Sequence, residues 1–324
     1  MRIVIGFICL VLTVFFILRF LGSNKNSEFC ENAIAYNWAN TDALANVRAK
    51  VLLTSRFKDL DDLKKVVKIT YDKDYSQLDS ADYGQSTVTL IYLSNGELIK
   101  RSMSSGVSQI DVVKAYESNY FGKAGFALTN PFPMRLRKEL SKVNLIARRR
   151  PLIFGLGDVA FYDLAEALVE HINTPELSFR QKGDYTERGF VNTFNHVTAQ
   201  AIITSFFSED LADFISDLHE RKSMPELTNG VFNKYQLMDS INNPLDNYVD
   251  IANNEIGQEI GLLLKTKYGI NENTICTPVL LTSYMNDLQS YYGWALNIGL
   301  DKFYSKDEEI INFTSKLNCI MHQK

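Results

Sequence analysis

The first 22 residues form the longest apolar run in the chain. From Ile3 to Leu18 no side chain is charged, and most positions are Ile, Val, Leu or Phe. A helix rises 1.5 Å per residue, so about 20 residues span a hydrocarbon core of roughly 30 Å. Residues 3–22 meet this length if the Arg19 side chain extends toward the lipid headgroups. The run therefore predicts contact with a membrane through residues 3–22, followed by a soluble body.

A cleaved signal peptide and a buried core helix are the alternatives for this segment. A signal peptide has a shorter apolar core, of about 7–15 residues, and a small-x-small cleavage site. Here the run is longer, and it ends in Arg19-Phe20-Leu21-Gly22. A core helix is seldom apolar on every face. The sequence thus predicts an uncleaved, single-pass anchor at 1–22, with the body outside the cytoplasm, in the periplasm or at the cell surface.

The composition of the whole chain is that of an ordinary folded protein. Apolar residues make up 46% and charged residues 22%, and the formal net charge is −4. This balance argues against a nucleic-acid partner. The basic run at 148–150 is local, and a solvated helix face is the simpler explanation. Gly155-Leu-Gly157-Asp158 lacks the third glycine of a dinucleotide-binding motif, so the sequence identifies no cofactor.

The first half of the body predicts a small antiparallel sheet. Residues 23–32 are polar and predict a tether, and 33–54 predict a helix. Strand-like runs with period-two alternation occupy 66–71, 86–93 and 97–103. Asn95-Gly96 separates the last two runs, and this pair favours a tight type I′ hairpin turn.

From residue 108 onward the pattern is almost entirely helical. Ser108 and Ser208 are predicted N-caps. The predicted helices are 108–120, 136–149, 161–172, 190–207, 209–221 and 245–268, with two more in the last 50 residues. The predicted loops and connections are 124–133, 174–187 and 224–244. The predicted fold is α+β: an anchor at 1–22, a tether at 23–32, a small α+β domain at 33–150 and an α-helical domain at 151–324.

One predicted helix carries a polar stripe where an ordinary helix is apolar. Its members share one face at i, i+3, i+4, i+7 and i+11: Asp250, Asn253, Asn254, Gly257 and Gly261. Asparagine and glycine are poor helix formers, so their concentration here lowers helix stability. The two glycines, one turn apart, predict that another backbone approaches closely.

Two of the four histidines lie in the two preceding helical segments. His196 has Asn192 and Gln200 one turn away on either side, and His219 is followed by Glu220. Three helices with matching polar faces predict one shared cluster. Buried polar groups are tolerated when they hydrogen-bond to one another, so we expect a mutually bonded network.

The order of these motifs resembles a bacterial domain family of unassigned function. That family has F-x-H in one helix, H-E at the end of the next and D-x-x-N-N-x-x-G at the start of a third, and here the resemblance covers about 155–270. The third motif is matched by Asp250, Asn253, Asn254 and Gly257. Asn195 stands where the family usually has Arg, and Val249 where it often has Met. The family occurs in secreted and membrane-linked proteins, some of them toxin-like, and the resemblance implies a fold and a polar cluster but no known reaction.

Three interpretations of the cluster remain open. The candidate residues are His196, His219, Glu220, Asp250, Asn253 and Asn254. They could form a packing network that fixes how the three helices meet. They could instead form a hydrolytic site, in which either histidine is the general base, an acidic residue orients it, and an asparagine holds an oxyanion or substrate.

A divalent metal bound by His196, His219 and Asp250 is the third interpretation, although no close pair such as H-E-x-x-H supports it. We favour a membrane-anchored envelope protein with a non-catalytic binding or structural role, whose partner is an envelope protein or a cell-wall component. The alternative is a membrane-tethered envelope hydrolase that uses the cluster.

Overall fold

The computed structural model describes residue 57 and residues 59–73, 86–93, 97–177, 180–186, 189–229, 232–238 and 244–322. Four predicted features lie outside these ranges: the span at 3–22, the tether at 23–32, the helix at 33–54 and the Asn95-Gly96 turn. Within the described ranges, none of the helices has the length and apolar character needed to cross a membrane.

Three strands form an antiparallel sheet in the order β1-β2-β3. Their bounds are β1 Val67–Lys73, β2 Ser86–Leu93 and β3 Glu97–Ser104. Val67 is opposite Tyr92, and Thr87 is opposite Ser104. The predicted antiparallel pairing of the last two strands is confirmed, as is the α+β class with its helical second half.

The two faces of the sheet differ as period-two alternation requires. One face packs against helices, and its apolar residues are buried: Val67, Val88, Leu90 and Met103. On the other face the hydroxyls of Thr89 and Ser102 lie 2.8 Å apart across neighbouring strands. The sheet is therefore a half-covered layer, held by its apolar face against the helical part of the body.

Short helices precede and follow the sheet in the first half of the body. They are α1 Leu60–Leu63, α2 Gln109–Glu117, α3 Tyr120–Thr129, α4 Pro131–Arg135 and α5 Arg137–Ile146. Ser108 caps α2 as predicted, in a capping box with Asp111. The predicted loop at 124–133 is wrong, because α3 and α4 occupy most of it. The Asn119 side chain accepts from the Gly122 amide and starts a new helix there.

The second half is a helical bundle. Its helices are α6 Pro151–Phe154, α7 Phe161–Glu170, α8 Phe190–Phe206, α9 Glu209–Ser223, α10 Glu226–Asn229, α11 Lys234–Met238, α12 Pro244–Tyr268, α13 Pro278–Leu296 and α14 Glu308–Met321. Ser208 caps α9 as predicted. The predicted loop at 224–244 is wrong in part, because α10 and α11 lie within it. Each is only about one turn long, too short for a hydrophobic periodicity to reveal.

Helices α8 and α12 pack closely because two glycines of α12 face α8. An ideal Cβ built on Gly257 would lie 2.7 Å from the Val197 carbonyl oxygen. One built on Gly261 would lie 2.6 Å from the Ala201 carbonyl oxygen. Since no real Cβ tolerates such distances, only glycine allows this approach. The close backbone contact predicted from the two glycines is confirmed.

The last helix, α14, holds the chain segment that leads into the bundle. The Lys316 ammonium donates to the backbone carbonyls of Arg148 and Val159 at 2.9 Å each. It also pairs with the Asp158 carboxylate at 2.9 Å. The side chains of this pair are 2% and 1% exposed. A buried charge is stable only when paired and hydrogen-bonded, and Lys316 meets both conditions.

Candidate functional site

The candidate site lies where α8, α9 and α12 meet. Helix α8 contributes His196, α9 contributes Glu220, and α12 contributes Asp250 and Asn254. Together with Asn192 and Asp246, described below, we call these residues the polar cluster. The packing of α12 on α8 through Gly257 places the preceding turns of α12 beside His196. The structure thus brings His196, Glu220, Asp250 and Asn254 together at one point between the three helices.

Asn254 connects the other two helices. Its amide nitrogen donates to Glu220 Oε1 at 3.2 Å, and its Oδ1 lies 2.9 Å from His196 Nδ1. Because the amide nitrogen is turned toward Glu220, the oxygen faces the imidazole and must accept a hydrogen bond from it. His196 therefore carries a proton on Nδ1.

The other imidazole nitrogen faces Asp250. His196 Nε2 lies 3.3 Å from Asp250 Oδ2. With Nδ1 protonated, Nε2 can carry a second proton, and the charged ring then forms an ion pair with Asp250. If Nε2 carries no proton, its lone pair is directed toward the Asp250 carboxylate. A neighbouring hydrogen bond thus fixes the tautomer of this histidine, as is common at sites that handle protons or metals.

Asn192 ties two acidic side chains of α12 to α8. Its amide nitrogen lies 3.0 Å from Asp250 Oδ1 and 3.2 Å from Asp246 Oδ1. One turn beyond the cluster, Gln258 donates to Gln200 at 3.2 Å, also between α12 and α8. On both helices the bridging residues are four positions apart. The polar contact between α8 and α12 is therefore a seam that extends over several helical turns.

Most of the polar cluster is buried, but one side of it reaches solvent. Glu220, Asp250 and Asn254 are 2–4% exposed, whereas 14% of the His196 side chain is exposed. His219 is an exposed residue whose ring centre lies 6.2 Å from that of His196. Asn253 is fully buried on α12. The cluster therefore comes nearest to solvent at the two histidines.

The acidic members of the cluster act on one another. Burial raises the pKa of the Glu220 carboxyl well above its ordinary value, and the negative charges of Asp250 and Asp246 raise this pKa further. The hydrogen bond from Asn254 opposes the shift. At the exposed edge, the pKa of His219 is lowered, because the protein on the inner side of the ring disfavours its charged form and the His196 and Lys222 charges act in the same direction.

A second ionic network lies between the sheet and the bundle. Arg101 of β3 contacts Asp213 and Asp217 of α9 at 2.5 Å each, and Glu255 of α12 at 3.3 Å. Arg221 also pairs with Asp217, at 2.8 Å. Burial raises the pKa of Glu255 to about 8, although the Arg101 charge lowers it. This network joins the sheet to two of the helices that form the candidate site.

Sequence reasoning missed two kinds of participant. Asp246 lies one turn before Asp250, so extending the stripe by four residues toward the N-terminus would have included it. Arg101 occupies the same face of β3 as the buried Met103, two residues later. The available signal was a charged residue at a strand position where the alternation predicts an apolar one. Its three acidic partners are distant in sequence, and no local pattern indicates them.

Comparisons with protein-family models, with curated proteins and with solved structures find no match to this chain. The resemblance of residues 155–270 to a bacterial domain family stays a prediction. The function must therefore be argued from the site alone.

Proposed function

We propose that the protein is a single-span, membrane-anchored envelope protein whose polar cluster holds three helices of its helical domain in one fixed arrangement. The domain then serves as a rigid platform that binds an envelope protein or a cell-wall component. One observation carries the proposal: a single side chain, Asn254 of α12, bonds both His196 of α8 and Glu220 of α9.

A network of this kind favours one packing over others. A purely apolar seam between three helices can slide by a turn, whereas a seam of directional hydrogen bonds is satisfied in one register only. The glycines of α12 act in the same way, since they permit close contact at one level of α8. Both devices fix the relative positions of the helices, as a binding surface composed of several helices requires.

Truncation of the cluster tests this role. We expect His196→Ala and Asp250→Ala each to lower the free energy of unfolding, by about 1–3 kcal/mol for each neutral polar group left without a partner. The double variant should lose less than the sum, because each truncation strands a partner that the other removes. Urea unfolding of the two single variants and the double variant measures the coupling.

Ser205→Ala is the matched control for this cycle. Ser205 lies nine residues after His196 on α8, roughly 13 Å along the helix axis, and bonds the Gly261 carbonyl and the Tyr284 hydroxyl. Combined with His196→Ala it should behave additively. Additive behaviour of the His196 and Asp250 variants themselves would contradict a shared network.

The membrane anchor has its own test. We expect the intact chain to sediment with membranes and to be released by detergent but not by high salt, because residues 3–22 are long and apolar enough to span a bilayer. Fractionation of cells followed by N-terminal sequencing measures this. A soluble product beginning near residue 24 would overturn the anchor in favour of a cleaved signal peptide.

A membrane-tethered hydrolase is the second candidate, and one observation favours it. His196 is held between Asp250 and Asn254 and is in part exposed beside His219, as a general base oriented by a carboxylate would be. In that case His196→Ala would leave the melting temperature nearly unchanged while abolishing function in the cell. The packing role predicts instead that function falls only as far as stability does.

A further inference from the structure

We infer that the polar cluster binds one divalent first-row transition-metal ion through His196, Glu220 and Asp250. Each of these residues offers one ligand atom, and the three atoms lie within 4.8 Å of one another. They come from three different helices. The inference deepens the proposed function and rests on it for the cluster acting as one unit, with the ion as the element that completes it.

The spacing of the ligand atoms suits an ion after a small adjustment. Zinc binds nitrogen and carboxylate oxygen at about 2.0–2.2 Å, so the ligand atoms of one ion lie roughly 3–3.5 Å apart. His196 Nε2 and Asp250 Oδ2 already have this separation, at 3.3 Å. All three ligand atoms lie within 4.8 Å of one another, so the set has to contract by at most roughly 1–2 Å to hold one ion.

The tautomer of His196 supports the same assignment. Asn254 accepts from Nδ1, so the nitrogen that faces Asp250 is the one that can bear a lone pair. Metal-binding histidines commonly donate their other ring N–H to an oxygen that fixes the ring in this way. Asn254 also donates to Glu220, and it would thereby orient two ligands of the same ion.

The ligand set indicates the class of ion. One imidazole nitrogen with two carboxylate oxygens suits Zn²⁺, Mn²⁺ or Fe²⁺ and lacks the soft sulfur that selects Cu⁺. Glu220 completes the set in place of His219, which the sequence had grouped with His196 and Asp250. His219 lies instead at the exposed side of the cluster, with its ring centre 6.2 Å from that of His196.

The experiment uses the full chain in detergent after treatment with a chelator. Addition of Zn²⁺ or Mn²⁺ should raise the melting temperature, because an ion that binds the folded state alone stabilises it. Calorimetric titration should give one ion per chain. Glu220→Gln and Asp250→Asn preserve the shape of the side chain and one of its two oxygens while removing the charge, and each should weaken binding at least about 100-fold.

Glu226→Gln is the matched control, since Glu226 is a glutamate of equal burial that bonds Gln236 and Tyr248 away from the cluster. It should bind the ion as the unaltered chain does. As a spectroscopic check, Co²⁺ should develop visible absorption that Glu220→Gln removes and Glu226→Gln retains. Circular dichroism establishes that each variant is folded.

Two outcomes would overturn the inference: no thermal shift or heat of binding at millimolar ion, or binding that Glu220→Gln and Asp250→Asn leave unchanged. These failures are distinct from failure of the proposed function. If the His196 and Asp250 variants are non-additive but the protein binds no ion, the metal site is excluded and the shared network is kept. If the variants are additive but the protein does bind the ion, the shared network is excluded and the metal site is kept.

Discussion

Gly257→Ala is expected to destabilise the protein by about 3 kcal/mol, at the upper end of the range for overpacked cores. The new methyl group would lie 2.7 Å from both the Val197 carbonyl oxygen and the Gln200 Cβ. A flexible side chain could rotate away, but a helix backbone cannot. Helices α8 and α12 must therefore separate, and the cluster one turn away must lengthen its hydrogen bonds. Urea unfolding measures the loss.

Gly125→Ala is the matched control for this substitution. Gly125 lies in α3, and a Cβ built on it meets nothing within 4 Å. Alanine is the better helix former by about 1 kcal/mol, so this variant should be unchanged or slightly more stable. The difference between the two variants isolates the clash from the gain in helix propensity. Equal stabilities would mean that α8 and α12 do not approach as closely as described.

Arg101→Met is expected to cost about 3 kcal/mol or more at pH 8. Removing one partner of a buried ion pair leaves an uncompensated charge, and here three carboxylates lose the same guanidinium. Arg101→Lys should recover only part of the stability, because an ammonium lacks the planar fork that contacts several carboxylates at once. The measurement is urea unfolding of both variants.

The deficit of Arg101→Met should depend on pH in a definite direction. In the folded protein burial raises the pKa of Glu255 to about 8, against an ordinary value of 4.5, and Arg101 opposes that shift. Burial also raises the pKa of Asp213, which Arg101 again opposes. Without Arg101 both values rise further. A carboxyl with a raised pKa contributes stability below its ordinary pKa and loses it as the pH increases through the folded value.

The gap between Arg101→Met and the unaltered chain should therefore be smallest at low pH, where these carboxyls are protonated in both folded proteins. It should widen as the pH passes the folded pKa of Asp213 and then, from about pH 8, that of Glu255. Lys65→Met removes an exposed lysine that pairs with Asp62, and it should leave stability unchanged at every pH. A gap of constant size would indicate that Arg101 acts through packing of its side chain rather than through its charge.

The sequence was informative where the signal is local and periodic. The alternation in β2 and β3, the serine caps of α2 and α9 and the long α12 ending before Gly269 all depend on neighbours within a few residues. The helices that occupy the predicted loop at 124–133 were missed because the N-cap of the first one, Asn119, lies before that loop. Residues 226–238 were missed because each helix there spans a single turn.

The candidate site divides in the same way. Asp250, Asn253 and Asn254 share a face by helical spacing alone, and His196 was notable because histidine is scarce. The bridge from Asn254 to Glu220 depends on how α9 crosses α12, which no spacing within one helix encodes. The Arg101 network depends on the docking of the sheet, and its partners are 112 or more residues later in the chain.

The pairing of Lys316 with Asp158 has a consequence for the order of events during synthesis. The two residues are 158 positions apart. A ribosome that adds about 5–20 residues per second needs roughly 8–30 s to pass from one to the other. Until then the Asp158 carboxylate has no ammonium partner with which it can be buried. The backbone carbonyls of Arg148 and Val159 likewise lack their hydrogen-bond donor. We therefore expect the segment between α5 and α7 to stay hydrated on the nascent chain until α14 is available to cover it.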